Sequence, residues 1–368
     1  MTKKVKILGI CLLYAALLFI GCDPKKNITP DEQGEWPVGQ NVYVAGFENV
    51  GDNSVARLWK NGAMQNLDGI SDGALRSTGT TIRSEARSVF VSGDDVYVAG
   101  YDVNLDDGTI HARLWKNGVL QNLQSEAYSD EAIAVFVSGS DVYVLGREEP
   151  SPLPPPTGWT FKVWKNGVAE TFAVGDSYWQ VNSIFVSDGD VYVAGCVTIE
   201  GGTAPILQAK LWKNGVGEDL ASSPNNSCAN SVFVSGGDVY VAGYDGNKAI
   251  LWKNGQAQNF TDGTKWAGAS SVYISGSDVY VAGWDGEAAL WKNGIVQSIA
   301  DDKDAVVYNS IYISGNDVYL AGYVSASAGF SAGLEERYLQ ATLWKNGKKL
   351  NLDVGKDTDS KAFSIFVK

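Results

Sequence analysis

The sequence predicts an all-β fold made of seven copies of one unit, and three recurring phrases support this prediction. The phrase Leu-Trp-Lys-Asn-Gly, with valine once in place of leucine, begins at Leu58, Leu114, Val163, Leu211, Leu251, Leu290 and Leu343. The phrase Asp-Val-Tyr-Val-Ala-Gly, or a close variant, begins at Asn41, Asp95, Asp141, Asp190, Asp238, Asp278 and Asp317. A third phrase of the type Ser-Val-Phe-Val-Ser-Gly begins at Ser88, Ala134, Ser183, Ser231, Ser271 and Ser310, and a shortened copy begins at Ser364.

Each phrase accounts for part of the unit. Val89–Val91 and Val96–Val98 are β-branched and aromatic runs separated by a short turn with glycine, which is typical of two hairpin strands. The Trp-Lys-Asn-Gly phrase supplies a third strand and a tight turn into a fourth, because Asn and Gly tolerate the positive φ of a type I′ turn. Four strands in about 40 to 50 residues, repeated around an axis, predict a seven-bladed β-propeller of four-stranded antiparallel blades.

The two ends of the chain predict how the ring closes. The array opens with a second-strand phrase at Asn41 and stops after a first-strand phrase at Ser364–Val367. We therefore expect the C-terminal strand to join the N-terminal blade as its innermost strand. Trp36–Val38 is the competing segment, but Pro37 cannot donate a ladder hydrogen bond. The repeated tryptophans, such as Trp115, are expected to pack between blades.

The N-terminus has the layout of an export signal. Three lysines precede an apolar run from Ile7 to Ile20, which is too short to span a bilayer comfortably. Leu18–Cys22 resembles a bacterial lipobox, with Phe19 where leucine is commonest, and this resemblance implies that Cys22 is lipidated. The expected organisation is a lipoprotein signal peptide (1–21), a lipid-anchored tether (22–35) and the propeller (36–368).

Charge and cysteine content restrict the partners and the compartment. Loss of the three signal lysines takes the net charge from −13 to −16. This acidity argues against nucleic acid and against anionic lipid surfaces, so the membrane contact is expected through the N-terminal lipid alone. We expect a monomer in the cell envelope, anchored to the outer membrane, with no cofactor. Cys196 and Cys228 lie at the same end of adjacent blades, and they form either a disulfide, which export permits, or two free thiols.

The connections between strands predict two different faces of the ring. The first-to-second and third-to-fourth turns share one face and are short and uniform, whereas the other connections vary from Trp284–Glu287 to the predicted loop Tyr323–Gln340. Binding groups usually reside on variable loops of a rigid scaffold, so we expect a glycan or protein ligand on this variable face. Each aromatic side chain there either contacts ligand or packs beneath its own loop. These aromatic residues are Tyr101, Tyr128, Trp159, Tyr178, Trp179, Tyr244, Trp266, Trp284, Tyr308, Tyr323 and Tyr338.

The residue ahead of each first-strand phrase is expected at the mouth of the central channel. These residues are Arg87, Ile133, Asn182, Asn230, Ser270, Asn309 and Phe363. The arginine and the three asparagines either line a polar pocket or hydrogen-bond the strand ends. The combined set of candidate ligand-binding residues is Arg87, Tyr101, Trp159, Tyr178, Trp179, Asn182, Asn230, Tyr244, Trp266, Trp284, Asn309 and Tyr323.

Residues for catalysis or metal binding are scarce. His111 is the only histidine, so a histidine metal cluster cannot be built. Asn104–Gly108 lacks the ligand alternation of a calcium loop, and we interpret it as a polar turn rather than a metal site. A carboxylate pair for glycoside cleavage would be brought together by folding rather than by sequence spacing. None of the channel-mouth positions is acidic.

Residues 22–368 together resemble the exported seven-bladed propeller lipoproteins of Gram-negative bacteria, many of which have no assigned activity. The resemblance implies a location and a scaffold, and it carries no catalytic residues to this chain. Two functions follow as hypotheses. The first is a non-catalytic binding or scaffold module of the envelope, and the second is a glycosidase or lyase that uses Asp and Glu on the variable face. The scarcity of catalytic residues favours binding.

Overall fold

The computed structural model contains seven four-stranded antiparallel sheets arranged in a ring. The chain is a seven-bladed β-propeller. The structure describes residues 34–65, 67, 82–125, 127–149, 160–173, 179–200, 204–221, 224–297, 305–331, 334–356 and 358–368. Within these ranges, no helix has the length and apolar character needed to cross a bilayer.

The first four blades use strands in chain order. Blade 1 contains β1 (Val42–Val50), β2 (Asn53–Lys60) and β3 (Ala63–Gln65). Blade 2 contains β4 (Ile82–Ser92), β5 (Asp95–Asn104), β6 (Ile110–Lys116) and β7 (Val119–Gln121). Blade 3 contains β8 (Ser129–Ser138), β9 (Asp141–Glu149), β10 (Thr160–Lys165) and β11 (Val168–Ala173). Blade 4 contains β12 (Trp179–Ser187), β13 (Asp190–Ile199), β14 (Ile206–Lys213) and β15 (Val216–Asp219).

The last three blades follow the same order, and one strand remains. Blade 5 contains β16 (Ser227–Ser235), β17 (Asp238–Asp245), β18 (Lys248–Lys253) and β19 (Gln256–Asn259). Blade 6 contains β20 (Ala267–Ser275), β21 (Asp278–Asp285), β22 (Ala288–Lys292) and β23 (Ile295–Gln297). Blade 7 contains β24 (Ala305–Ser314), β25 (Asp317–Ser331), β26 (Leu334–Lys345) and β27 (Lys348–Leu350). The final strand is β28 (Ser360–Val367).

The C-terminal strand completes blade 1, whose strand order is β28-β1-β2-β3. Its register places Val367 opposite Val42 and Ser360 opposite Glu48. Asn41 and Lys368 add two backbone hydrogen bonds of 2.7 and 2.8 Å at the end of the ladder. The predicted ring closure is therefore confirmed, and β1 is paired along both of its edges.

The seven repeated tryptophans are buried between blades. Each is at most 2% exposed to solvent. Trp59 of blade 1 lies in a core cluster with Leu343 of blade 7, and Trp115 of blade 2 lies in one with Leu58 of blade 1. The other five tryptophans likewise pack with the preceding blade. The predicted packing role is confirmed, and the hydrophobic effect of seven buried indoles stabilises the ring as a whole.

The Trp-Lys-Asn-Gly phrase and the Asp-Val-Tyr-Val-Ala-Gly phrase recur together, and their side chains contact each other beside the Asn-Gly turn. In blade 2, Lys116 Nζ lies 2.7 Å from Asp95 Oδ2 and 5.4 Å from the ring centroid of Tyr97. Asn117 Nδ2 donates to Asp95 Oδ1 at 2.8 Å, and Asn117 Oδ1 accepts from the Val96 amide at 2.8 Å. Asn117 and the glycine after it have positive φ, as a type I′ turn requires. Five other blades repeat the lysine–aspartate contact.

Serines of the third phrase link the innermost strands of neighbouring blades. Ser88 Oγ accepts a hydrogen bond of 3.2 Å from the Val135 amide of the next blade. Five equivalent serines accept from the next blade in the same way. Blade 3 carries Ala134 at this position and has no hydroxyl to offer.

Candidate functional site

The variable face carries the second-to-third turns and the connections between blades. In blade 6 the strands β21 and β22 are separated by two residues only. In blade 7 the pairing of β25 with β26 continues as far as Ser331 opposite Leu334. The prediction of a loop from Tyr323 to Gln340 was therefore wrong, because most of this segment belongs to the two paired strands. Two segments that leave a blade side by side can continue their backbone hydrogen bonds whatever their side chains are.

Each predicted channel-mouth residue is the extra residue of a β-bulge. In blade 2, Ala86 pairs with Gly100 and Ser88 pairs with Ala99, which leaves Arg87 without a cross-strand partner. A Cβ atom at Gly100 would overlap the carbonyl oxygen of Glu85, so the bulge explains why the second-strand phrase ends in glycine. A bulge re-aims the side chain of its extra residue. The same shift occurs at Ile133, Asn182, Asn230, Ser270, Asn309 and Phe363.

Five of these bulge residues line one pocket of about 380 Å³, which we call the mouth pocket. Its volume lies within the range of small-molecule sites. Its lining consists of Arg87, Glu131, Ile133, Arg147, Gln180, Val181, Asn182, Asn309 and Phe363. Asn230 and Ser270, from blades 5 and 6, do not belong to this lining.

The charged groups of the mouth pocket form arginine–glutamate pairs. Arg147 Nε donates to Glu131 Oε2 at 2.8 Å, and Arg87 Nη1 donates to Glu85 Oε2 at 3.0 Å. None of the bulge residues is acidic, but Glu131 supplies a carboxylate to the pocket lining. Glu131 lies two residues before Ile133 in β8, and alternate residues of a strand point to the same side of the sheet. The repeated phrases gave no signal for Glu131 or Arg147, because both lie just outside them.

Tyr101 and Phe363 flank the Arg87–Glu85 pair. The Arg87 guanidinium lies 4.5 Å from the centroid of the Phe363 ring, which is a cation–π distance. Burial raises the pKa of Tyr101, and the charge of Glu85 raises it further. Tyr101 is therefore a neutral hydroxyl at physiological pH.

The three bulge asparagines link neighbouring blades through their side-chain amides. Asn182, Asn230 and Asn309 each donate to a backbone carbonyl oxygen of the next blade, at 2.8 to 2.9 Å. The acceptors are Ala229, Ala269 and Ala362. Asn182 and Asn309 also line the mouth pocket, so both interpretations hold for them. Asn230 does not line the pocket, but its Oδ1 accepts from Asn182 Nδ2 at 3.5 Å.

Seven aromatic rings surround the channel three residues beyond the bulges. Neighbouring ring centroids are 4.7 to 5.0 Å apart around the complete circle. This aromatic collar consists of Phe90, Phe136, Phe185, Phe233, Tyr273, Tyr312 and Phe366. Five phenylalanine and two tyrosine rings therefore narrow the channel beneath the mouth pocket. The sequence contains a signal for this collar, because every first-strand phrase has an aromatic residue at the same position. Strand periodicity alone does not reveal which side chains face the central axis of the ring.

The predicted aromatic residues do not form one site. Trp266 is 68% exposed, and its ring centroid lies 5.4 Å from that of Trp284. The Trp284 ring covers Gly268, where a Cβ atom would overlap it. Tyr308 is buried in the core against Trp344 instead. Among the remaining predicted aromatics, Tyr128 is exposed, and Tyr244, Tyr323 and Tyr338 are half-buried. Trp159, Tyr178 and the side chain of Trp179 lie outside the described residues.

Cys196 and Cys228 form a disulfide between blades 4 and 5, with Cα atoms 4.9 Å apart. Both residues are buried. The disulfide lies beside the mouth pocket, because Asn182 Nδ2 is 3.5 Å from Cys228 Sγ and Gln180 Oε1 is 3.5 Å from Cys196 Sγ. It therefore links β13 and β16, the two strands that pack against β12, which carries Gln180 and Asn182. The predicted lipidation site, Cys22, lies outside the described residues.

The described residues contain no cluster of three or more side chains suited to a metal ion. Asn104 Oδ1 accepts a hydrogen bond of 3.0 Å from the Asp106 amide, and Asp107 Oδ1 accepts one of 2.9 Å from the Thr109 amide, so both side chains bond the local backbone of a tight turn. His111 Nε2 lies 3.2 Å from the Thr109 hydroxyl of the same strand region.

No family model matches the sequence, and no curated protein matches it either. Several solved propeller structures are similar. The WD40 β-propeller domain of Doa1 shares 13% identity with a TM-score of 0.40, over 76% of this chain and 85% of that chain. YjhT shares 12% identity with a TM-score of 0.40, over 77% of this chain and 97% of that chain.

The uncomplexed acylaminoacyl peptidase of Pyrococcus horikoshii shares 13% identity with a TM-score of 0.45, over 86% of this chain. The alignment covers 51% of the peptidase chain, so this chain spans about half the length of that enzyme. Similarity at this level concerns the fold alone.

Proposed function

We propose that this propeller is a non-catalytic binding module that recognises a glycan through its variable face. The observation that carries the proposal is the mouth pocket, which is concave and about 380 Å³ in volume. Sites for small ligands combine such a shape with a few convergent polar groups. Here those groups are the Arg147–Glu131 pair, the guanidinium of Arg87, and the amides of Gln180, Asn182 and Asn309. Arg87 is paired with Glu85, which lies outside the lining of this pocket.

The polar groups of the mouth pocket suit hydroxyl-rich ligands. A hydroxyl both donates and accepts, so it matches a surface that offers arginine and amide N–H groups beside carboxylate and amide oxygens. The charges of Arg87 and Arg147 are balanced by Glu85 and Glu131, so a neutral ligand leaves no charge unpaired. A peptide loop is the alternative occupant, and it is an outcome of the test.

Trp266 and Trp284 support capture on the same face. Trp266 exposes an indole next to a second indole that is held over Gly268. Its loop is pinned by the Gly286 amide, which donates to the Trp266 carbonyl oxygen at 3.0 Å. A rigid, exposed aromatic pair suits stacking against the apolar face of a sugar ring.

A glycan array followed by calorimetry with the bound glycan tests the proposal. Asn182→Ala is expected to weaken binding at least tenfold, because it removes an amide from the pocket. Asn230→Ala is the matched control, because it loses an equivalent 2.9 Å interblade hydrogen bond and does not line the pocket. Since Asn230 Oδ1 also accepts from Asn182 at 3.5 Å, Ser270→Ala, at a bulge outside the pocket lining, is a second control. Equal binding by Asn182→Ala and both controls would reject the mouth pocket as the site. Binding of a protein from this face and of no glycan would assign a protein ligand instead.

Glycoside hydrolysis is the second candidate, and the position of Glu131 favours it. Glu131 lines the mouth pocket, and a second carboxylate, that of Glu85, is bonded to the pocket residue Arg87. Each of these carboxylates is bonded to an arginine, which suits orientation of ligand hydroxyls more than proton transfer to a leaving group. Release of reducing ends from a bound oligosaccharide, abolished by Glu131→Gln, would establish hydrolysis.

The proposed location is the cell envelope, with the protein held by lipid on Cys22. The disulfide between Cys196 and Cys228 supports export, because such bonds persist in oxidising compartments. Cys22→Ala is expected to abolish fatty-acid labelling and to release the protein from the membrane fraction. Unchanged labelling and fractionation of this variant would reject the lipid anchor.

A further inference from the structure

A second pocket lies beside the mouth pocket, over blade 1. This outer pocket has a volume of about 350 Å³. Its lining consists of Phe47, Asn49, Asp52, Ser54, Arg83, Glu85, Leu339, Asp359 and Lys361. The lining is mostly polar and contains carboxylate, amide, hydroxyl and cationic groups.

Three contacts make the two pockets neighbours. Phe47 of the outer pocket and Phe363 of the mouth pocket are in ring contact, with centroids 5.7 Å apart. Glu85 lines the outer pocket and bonds Arg87 of the mouth pocket at 3.0 Å. Lys361 and Phe363 lie two residues apart in β28. The contacting rings of Phe47 and Phe363, which we call the aromatic ridge, therefore lie where the two pockets adjoin.

We infer that the two pockets are subsites of one groove, which binds a neutral, linear oligosaccharide. The terminal sugar unit occupies the mouth pocket and the following units occupy the outer pocket. This inference rests on the proposed glycan-binding function and adds the length, charge and direction of the ligand.

The direction follows from the channel. Phe90 and Phe366 of the aromatic collar lie three residues beyond Arg87 and Phe363 on the same strands, so the channel narrows directly below the mouth pocket. A chain longer than one or two units must therefore leave sideways along the variable face. The ridge of Phe47 and Phe363 presents apolar rings on this path, and C–H faces of sugars stack on such rings.

The charges of the outer pocket favour a neutral chain. Glu85 is paired with Arg87, Asp359 Oδ1 accepts from the Leu339 amide at 2.7 Å, and Lys361 Nζ lies 5.0 Å from the ring centroid of Tyr323. Besides Glu85, the outer pocket has two carboxylates, Asp52 and Asp359, and two cations, Arg83 and Lys361. An acidic or a basic polymer would meet groups of its own sign in this pocket. Hydroxyl groups can donate to the carboxylates and accept from the cations without any net charge.

The groove also crosses the place where the chain ends meet. Asp359, Lys361 and Phe363 come from the C-terminal segment, whereas Phe47 and Asn49 come from β1. A ligand that contacts both sides binds the closed ring better than an open one, and it therefore stabilises closure.

Calorimetry with defined probes tests the groove. The probes are linear oligomers of glucose, mannose and N-acetylglucosamine with one to six units. For the series that binds, affinity is expected to rise at least tenfold from the monosaccharide to the longer oligomers. Arg83→Ala and Asp52→Asn are expected to remove this gain and to leave the monosaccharide affinity unchanged, whereas Asn182→Ala weakens every length. Asp106→Asn, at the corresponding turn of blade 2 and outside both pockets, is the control.

Hydrogen exchange gives a second readout. The longer oligomer is expected to slow exchange of the amides from Asp359 to Phe363, and the monosaccharide is expected to slow it less. Affinity that is independent of length, or oligomer binding that is unaffected by Arg83→Ala and Asp52→Asn, would overturn the groove while leaving glycan binding intact. Binding of no series by the wild-type protein would overturn the proposed function and the groove with it.

Discussion

The indole Nε1 of Trp59 donates a hydrogen bond of 2.7 Å to the carbonyl oxygen of Asp353, a residue 294 positions later in the chain. Trp59 belongs to blade 1, and Asp353 lies in the connection that leaves blade 7 and leads to β28. The repeated tryptophan therefore packs its blade against the preceding blade. Its indole N–H also holds the connection that leads out of that preceding blade. Trp164 repeats the relationship, since its Nε1 donates to the carbonyl oxygen of Gln124 at 2.7 Å.

Truncation of a repeated tryptophan is expected to destabilise the ring. Trp115 is fully buried between blades 1 and 2, so Trp115→Ala should lower the free energy of unfolding by about 3 to 5 kcal/mol through the cavity it leaves. Urea unfolding followed by circular dichroism measures this change. Trp266→Ala is the matched comparison, because Trp266 is 68% exposed and its loss should change stability by less than about 1 kcal/mol. Similar losses for the two variants would contradict the interblade role.

Removal of the closing strand is expected to lower the melting temperature markedly. Deletion of residues 363–368 removes the pairing of Ile365 and Phe366 with β1 and exposes an unpaired edge. Phe366 also contacts two rings of the aromatic collar. Differential scanning calorimetry measures the effect, and Lys368→Ala serves as the control because it keeps the strand. A deletion that melts like the control would show that β28 contributes little to closure.

Substitution of a bulge glycine is expected to cost more than substitution of a turn glycine. A Cβ atom at Gly243 would overlap the carbonyl oxygen of Cys228, so Gly243→Ala should cost about 3 kcal/mol through displaced backbone. Gly276 lies in a first-to-second turn with open space around it and a φ of 59°, so Gly276→Ala should cost about 1 kcal/mol. Thermal unfolding of both variants ranks them. The reverse order would mean that the bulge relaxes easily.

Acid is expected to weaken the turns of the uniform face. The hydrogen bond from Lys253 lowers the pKa of Asp238, and the bond from Lys292 lowers the pKa of Asp278 in the same way. A carboxyl group with a lowered folded-state pKa stabilises the fold above its unfolded pKa of about 3.9, and this stabilisation is lost as the pH falls through the lower folded value. The melting temperature should therefore drop below about pH 4. The variant Asp238→Asn/Asp278→Asn should lose less stability between pH 7 and pH 3 than the wild type, and an equal loss would contradict this assignment.

Loss of the disulfide is expected to destabilise the region of the mouth pocket. Cys196 and Cys228 are 32 residues apart, and removing a cross-link that closes a loop of this size lowers the free energy of unfolding by about 3.7 kcal/mol. Chemical unfolding of Cys196→Ser/Cys228→Ser measures the cost, and reduction of the wild type should reproduce it. Glycan affinity should also fall, because Gln180 and Asn182 contact the two sulfur atoms. Unchanged stability after complete reduction would contradict the prediction.

Sequence periodicity alone determined the architecture of this protein. Seven copies of three phrases gave the blade count, the strand order and the Asn-Gly turns, because these features depend on local backbone preferences that recur wherever the phrase recurs. Closure by β28 followed from the order of phrases at the two ends of the chain. The contrast between uniform and variable connections also followed from the meander.

Only the tertiary structure decided which side chains meet. Glu131 and Arg147 belong to adjacent strands of blade 3 and reach the mouth pocket beside Arg87 of blade 2, which no sequence spacing reveals. Tyr308 was expected either to contact ligand or to pack beneath its own loop, but it lies within β24 and packs in the core, because this strand begins earlier than the repeated phrase. Bulges have a similar effect at other positions, because one extra residue in each innermost strand re-aims a side chain, and its place becomes visible only when the partner strand is present. Strand periodicity is a property of the local chain, whereas a pocket depends on contacts between blades that are distant in sequence.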